Sequence, residues 1–310
     1  MKLDETQLEH FEREGYLVVE NALEAGDLDP VIEEYESYID LRARELKSAG
    51  KITDLFEGES FTGRLARICE QHNDLFSELD IMVLRGRASF EFLANDNLLD
   101  MVESFVGPEI ICSPIQHIRA KLPTPLASGP SAEATHVAPW HQDAGVTWEE
   151  ADPYFILTVW IPFVESTAEN GCMQILPRQH KTGLKRHETL ERTGTTIVAD
   201  EMPAAEPLIL PMKKGSVLFL HKQTPHRSTP NLSSGVRWSA DLRYQKTGTP
   251  TGRPFRPHFV VRSRSEPSSV LTDHGRWSDL WREALAKSAG TNLHRWGPPT
   301  PADAEPSHAG

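Results

Sequence analysis

Two histidines and an aspartate, far apart in the chain, carry the chemistry that this sequence offers. His141 and Asp143 belong to Trp140-His141-Gln142-Asp143, at the exit of an extended segment, and His226 lies in HKQTPHRSTPN. Residues two apart in extended chain project from the same side, so His141 and Asp143 can face one ion. Two imidazoles and one carboxylate are the protein ligands of a non-haem Fe(II) site that keeps further coordination positions open. Arg237 follows His226 by eleven residues. A guanidinium held there presents a fork for the remote carboxylate of a dicarboxylate co-substrate. The set points to Fe(II)/2-oxoglutarate chemistry.

A His-x-Asp pair alone is weak evidence. His72-Asn73-Asp74 is another, but it stands in polar helical text, where residues two apart diverge around the axis, and it reads as two solvated side chains. His221 ends the apolar run Val217–Leu220 and reads as structural, which leaves His226, in the turn beyond, as the third ligand.

The elements that must position these residues change character along the chain. Residues 1–108 are mostly helical in pattern. Thr6 caps a helix over Gln7–Glu14, Tyr16–Val19 is a short strand, and apolar residues recur at helical spacing from Asp27 to Lys47. Further helices are expected over Asn73–Leu84 and Asn97–Val106, the latter stopped by Gly107-Pro108. From Glu109 the text turns to short β-prone runs: Ile110–Leu122, Tyr154–Val164, Cys172–Leu176, Leu208–Met212, Ser216–His221, Val236–Gln245 and Phe259–Val261. Short strands separated by Pro and Gly predict a sandwich or barrel rather than alternating strand–helix units. Arg276–Ala289 reads as a closing helix, and 297–310 as a disordered tail. The expected organisation is one catalytic domain over 1–296, with a helical part at 1–108, a barrel at 109–262 and a helical part at 263–296. The long Pro123–Pro139 connection, rich in Pro, Ser and Ala, predicts a lid beside the site.

Composition excludes some partners. The net charge is 32 − 45 = −13, which disfavours non-specific binding to nucleic acid or an anionic membrane, since both need a basic face. Neither a signal-peptide core nor an apolar run of membrane-spanning length occurs. Three scattered cysteines, an odd number, suit reduced thiols rather than a disulfide framework, so a cytoplasmic setting is expected.

With these residues assembled, the chain resembles the phytanoyl-CoA dioxygenase family. The likeness runs through GYLVVENAL (Gly15–Leu23), Lys121-x-Pro123, WHQD and a strand ending in Trp160. It continues in ENGCMQILPRQHKTG (Glu169–Gly183), KKGSVLFLH (Lys213–His221) and His226-x-Ser228-x-x-Asn231 with the trailing Arg237. The resemblance implies a mainly β fold with helical additions, a double-stranded β-helix or cupin-like jelly-roll barrel. It implies Fe(II) on His141, Asp143 and His226, and 2-oxoglutarate held by Arg237 with help from Ser228. Thr158, Trp160 and His117 fall on strands that line the co-substrate pocket in the family; Gln142, Arg119 and Arg243 are candidates for substrate contact. Where the family's turn commonly has glycine this chain has Arg178, which either alters the turn or reaches the pocket mouth. The acid at Asp143, where halide-installing relatives carry a small residue, implies oxygen insertion or a related hydrogen-abstraction outcome. The resemblance thus implies O2-dependent oxidation, in the first place hydroxylation, of a small-molecule metabolite, with release of succinate and CO2.

On the late strand, Arg237, Ser239, Asp241 and Arg243 alternate with Trp238, Ala240, Leu242 and Tyr244. A polar face turned inward would suit a small polar substrate better than an acyl chain. Trp148, Tyr154 and Phe155 could wall an apolar ligand, although core or rim packing accounts for them more simply. The competing reading is a non-catalytic jelly-roll protein that binds a metal or small ligand. Arg237 speaks against it, because a plain metal binder has no use for a remote carboxylate clamp.

Overall fold

The structure, a computed structural model, describes residues 1–126, 137–190, 194–288 and 291–297. The helical layer comprises α1 (Glu5–Glu14), α2 (Ala25–Ser48), α3 (Phe61–Cys69), α4 (Ile81–Leu84), α5 (Arg87–Leu93) and α6 (Asp96–Val106), with α7 (His274–Lys287) closing the chain. The strands are β1 (Tyr16–Val19), β2 (Ile110–Cys112), β3 (His117–Lys121), β4 (Ile156–Pro162), β5 (Met173–Ile175) and β6 (His187–Leu190), then β7 (Gly194–Ile197), β8 (Leu208–Leu210), β9 (Val217–His221), β10 (His226–Ser228), β11 (Arg237–Lys246) and β12 (Phe259–Arg262).

Local chemistry sets several boundaries differently from the sequence expectation. Helix α1 is capped by Asp4 rather than Thr6: the Asp4 carboxylate accepts from the Gln7 amide, and the Gln7 side chain accepts from the Asp4 amide. The stretch Asn73–Leu84 is two pieces, a 3-10 turn over Asp74–Glu78 and then α4, because Asp80 caps a new start by accepting from the Met82 amide. The run Ile110–Leu122 splits into β2 and β3 around Ser113-Pro114, where proline has no amide to offer a ladder. His226 lies not in a turn but at the start of β10.

The larger antiparallel sheet has the order β1-β9-β4-β11-β2-β12, with β3 also paired to β11, and the smaller sheet has the order β10-β5-β8. This is the jelly-roll barrel expected. Period-two alternation divides the large sheet into two chemistries. Its outer face sends Leu157, Val159, Trp238, Ala240, Leu242 and Tyr244 into the core shared with the helices. Trp238 is fully buried there, stacked on Phe61 at 4.8 Å between centroids and edge-on to Tyr35 at 5.3 Å. From α2, Leu28, Val31, Tyr35, Ile39, Ala43 and Leu46 are buried at helical spacing. The inner face carries the polar set. Register pairs Arg237 with Lys121, Ser239 with Arg119, Asp241 with His117, and Arg243 with Thr158. The helices therefore hold the apolar side of a sheet whose other side is free to do chemistry.

Candidate active site

His141 and His226 meet across a two-strand bridge. Each amide donates to the other's carbonyl, at 3.0 and 2.9 Å, and the rings lie 4.2 Å apart between centroids. After His141 the chain enters a 3-10 turn at Asp143–Val146, pinned by the Ala144 amide donating to the Lys222 carbonyl at 2.9 Å. Asp143 Oδ1 lies 3.9 Å from both His141 Nε2 and His226 Nε2, and among the described residues this trio is the single His/Cys/Asp/Glu group arranged to hold a metal ion.

The donor chemistry fits a divalent metal. His141 Nδ1 is 2.8 Å from the Pro139 carbonyl and His226 Nδ1 is 2.9 Å from the Thr224 carbonyl. A carbonyl only accepts, so each Nδ1 carries the proton and each Nε2 presents its lone pair to the centre. Burial, reinforced by the neighbouring His226, pushes the His141 imidazole down to about 3, which keeps it neutral. Burial alone would raise the Asp143 carboxyl, but the Arg243 guanidinium beside it holds it well below the carboxylate range. Its Oδ1 accepts from Arg243 Nη2 at 2.5 Å and its Oδ2 accepts from the Thr158 hydroxyl.

A cavity of about 90 Å³ runs from His141 and His226, past Thr158 and Trp160, to a basic end. There Arg237 is 4% exposed; it donates to Ser239 Oγ and to the Gly171 carbonyl, lies 5.2 Å from the Trp160 ring centroid, and leaves Nε without a partner among the described residues. Lys121, 2% exposed, reaches the same end and donates to Ser228 Oγ at 2.7 Å. Burial and then Arg237 push the Lys121 amine down to about 6, and burial pushes Arg237 down to about 10. Neither group has an ion-pair partner among the described residues. Gly171 makes the room: its φ is +93°, and a Cβ there would come within 2.5 Å of Lys121 Cε. A buried guanidinium and, beside it, a buried amine that an arriving carboxylate would charge form an anion site facing the metal trio, with Asp241 on the cavity wall drawn toward Arg243.

Of the residues expected from sequence, the cavity brings together His141, His226, Thr158, Trp160, Ser228, Arg237 and, at its rim, Arg119. Asp143 stands against Thr158 and both histidines. Four others lie elsewhere. His117 turns to Asp80, 2.7 Å away, because a half-buried imidazole needs a partner and the cap of α4 supplies a carboxylate. Gln142 faces away from its neighbours' site and is consumed by the Gly183 and Gln223 carbonyls and the Lys185 amide. Arg243 stands behind Asp143 rather than in the cavity wall. Arg178 takes a left-handed backbone (φ +67°) and forks onto Glu14 at 2.9 and 3.0 Å, on the surface. His72 and Asp74 do meet, at 3.2 Å, but with no third ligand among the described residues. His221 packs between Phe155 and His180. Lys121 was readable only as part of a motif; its role depends on a cross-strand register with Arg237 that no spacing along the chain reveals. The expected lid lies largely outside the described residues, as does the tail beyond 297. The lid's two anchors are described: the Thr124 amide donates to the Asn231 carbonyl at 2.8 Å, and the Ala138 amide donates to Ser228 Oγ at 3.1 Å.

A jelly-roll barrel with two histidines and one carboxylate at its mouth is the architecture of non-haem metal oxygenases. The chain belongs to the phytanoyl-CoA dioxygenase (PhyH) family, whose pattern matches residues 11–239. It is 30% identical over 190 residues to a 1-deoxypentalenic acid 11-beta-hydroxylase of Streptomyces exfoliatus, an alignment that takes in 58% of this chain and 65% of that protein. It is 24% identical over 247 residues to the peroxisomal phytanoyl-CoA dioxygenase of Rattus norvegicus, covering 77% of this chain and 67% of the relative. Among solved structures it is similar to the non-heme monooxygenase ThoJ, with a TM-score of 0.60 at 19% identity over 91% of this chain and 98% of that one. It is also similar to the epimerase SnoN in complex with Fe3+, alpha ketoglutarate and nogalamycin RO, with a TM-score of 0.52 at 19% identity, covering 81% and 88%. Among the described residues no helix is long and apolar enough to cross a membrane.

Proposed function

We propose that the protein is an Fe(II)/2-oxoglutarate-dependent dioxygenase that oxidises, most simply hydroxylates, a compact small molecule bearing an acidic group. The observation that carries this reading is the pairing of a two-histidine, one-carboxylate metal trio with a buried guanidinium and a buried amine, neither of them ion-paired among the described residues, across one small cavity. His141, Asp143 and His226 would hold the metal by one face, and the remaining positions would stay open to other ligands. Arg237 and Lys121, with Ser228 between them and the wall, would receive the remote carboxylate of 2-oxoglutarate, and Trp160 covers the guanidinium. When bound, Fe(II) and 2-oxoglutarate supply the activation of O2, with succinate and CO2 as products. The protein's own share is orientation and exclusion of water: Asp143, His226, Arg237 and Lys121 are buried and His141 is half-buried, so little bulk solvent reaches the reacting end.

The substrate class follows from the rim. Arg119 is a third exposed, and its one ion pair, to Asp241, is long at 3.8 Å because that carboxylate is already engaged by Arg243 at 2.6 Å. Arg119 also lines a second cavity of about 220 Å³ whose walls include Phe76, Leu79, Ile118 and Ala120, with Asp80 there already engaged by His117. An under-engaged guanidinium beside apolar walls favours a small acid with a hydrocarbon body. The acid named for the Streptomyces relative is consistent with that choice. We take residues 1–296 as one catalytic unit. The three buried, unbridged cysteines favour a reducing, cytoplasmic setting. The test is a screen of small carboxylic acids against their esters for stimulated succinate release. Stimulation by esters equal to that by acids would remove Arg119 from substrate recognition.

A further inference from the structure

Asp143 reaches the metal trio already fully engaged. Arg243 Nη2 donates to its Oδ1 at 2.5 Å, and the Thr158 hydroxyl donates to its Oδ2. Arg243 is itself anchored: Nη1 donates to Asp241 Oδ1 at 2.6 Å, and the guanidinium is 3% exposed. Asp241 and Arg243 stand two apart on the inner face of β11, and Arg243 faces Thr158 across the β4 ladder. The guanidinium therefore bridges two carboxylates from a position where neither solvent nor a ligand in the cavity touches it.

We propose that Arg243, fixed by Asp241, is a positioning residue that makes Asp143 a one-oxygen metal ligand. Thr158 occupies Oδ2 and the Arg243 fork occupies one lone pair of Oδ1. What remains is the Oδ1 lone pair directed at the two histidine Nε2 atoms, each 3.9 Å away. A freely rotating carboxylate would chelate the ion with both oxygens and consume a coordination position that the co-substrate needs. The fork removes that option. The inference rests on the metal-site reading above and adds to it a role for Arg243, which lies outside the cavity wall, and for Asp241, the wall residue that anchors it.

Charge and geometry predict opposite signs, which makes the proposal decidable. A guanidinium this close to a metal ligand repels a cation, so a role through charge alone means that Arg243→Gln binds metal more tightly. Positioning means that it binds more weakly. Mn(II) binding to the metal-free protein, followed by the electron paramagnetic resonance of free Mn(II), reads this without turnover, O2 or 2-oxoglutarate. The expected result is a rise of roughly 10- to 100-fold in the Mn(II) dissociation constant for Arg243→Gln, the range found for outer-shell partners of metal ligands. Arg243→Lys, which keeps the charge and loses the fork, should be weakened similarly. Asp241→Asn should weaken binding in the wild-type background and add nothing in the Arg243→Gln background, because Asp241 acts through Arg243. Wild-type affinity in Arg243→Lys, or tighter binding in Arg243→Gln, overturns the proposal. If circular dichroism shows Arg243→Gln unfolded, Arg243→Lys and Asp241→Asn carry the test, and an unchanged Mn(II) affinity in both overturns it. Failure of the wild-type protein to bind Mn(II) overturns the metal-site reading itself, and this inference with it.

Discussion

Lys121→Met removes an amine that the free protein keeps uncharged, so its effect on co-substrate binding should depend on pH. Burial and Arg237 hold that amine at about 6, so most of the ligand-free protein at pH 7 has a neutral Lys121. A carboxylate arriving beside Ser228 favours the charged form, and binding takes up a proton. A charge-assisted contact in a buried site is worth about 2–5 kcal/mol. Charging the amine one pH unit above its titration point costs about 1.4 kcal/mol. The net contribution at pH 7 is about 0.6–3.6 kcal/mol, or roughly 3- to 400-fold in the dissociation constant of 2-oxoglutarate. At pH 8 the charging cost doubles to about 2.7 kcal/mol and the advantage shrinks to at most roughly 50-fold. The sign follows from the direction of the shift. The complex binds more protons than the free protein, so wild-type affinity is greatest below about pH 6 and falls by up to tenfold per unit as pH rises. The Met variant lacks that slope. Calorimetry of 2-oxoglutarate binding to the Mn(II)-loaded protein, in buffers of different ionisation enthalpy, reads the proton uptake directly. A Lys121→Met protein with the wild-type slope, or wild-type affinity that rises with pH, would refute the reasoning.

Other consequences are checkable on the same preparation. Arg237→Ala should raise the KM for 2-oxoglutarate by roughly 30- to 4,000-fold, the equivalent of about 2–5 kcal/mol, and an unchanged KM would remove it from the clamp. His141→Ala, Asp143→Ala and His226→Ala should each abolish turnover and metal binding, whereas His221→Ala should still bind Mn(II); the reverse for the last two would name the wrong histidine. Gly171→Ala forces a Cβ to within 2.5 Å of Lys121 Cε and 2.8 Å of the Thr229 carbonyl oxygen at a φ of +93°. It should cost about 1–3 kcal/mol in thermal unfolding and weaken 2-oxoglutarate binding together, and a stable variant with normal affinity would show that the close packing is dispensable.

The metal trio could be read because its signal is local. A His-x-Asp in extended chain and a histidine just after an apolar strand need only period-two geometry to be recognised. The barrel was legible for a similar reason, since Tyr154–Val164 and Ser216–His221 are short apolar, β-prone runs, Val236–Gln245 alternates, and all are bounded by turn residues. What lay beyond reach depends on contacts between distant segments. Lys121 becomes part of the anion site through its cross-strand pairing with Arg237. Arg243 reads as an inward cation available to a substrate until Asp143, a hundred residues away, is seen to claim it. Arg178 reads as a departure near the pocket, yet Glu14 at the end of α1 holds it on the surface. The split at Leu79-Asp80 escaped because an aspartate in a polar helical run gives no sign that it will cap a new start. In each case the residue type was visible, and the missing information was its partner.

The account's central claim is that the trio and the basic end of the cavity hold one metal-bound dicarboxylate between them. Anaerobic addition of Fe(II) and 2-oxoglutarate, watched in the visible range, tests it most directly. The account predicts a weak charge-transfer band that needs both components, saturates at one 2-oxoglutarate per Fe(II), and disappears in the Asp143→Ala protein. A wild-type protein that binds Fe(II) but gives no band with 2-oxoglutarate, and releases no succinate when O2 is admitted, would contradict it and leave a metal-binding jelly roll in its place.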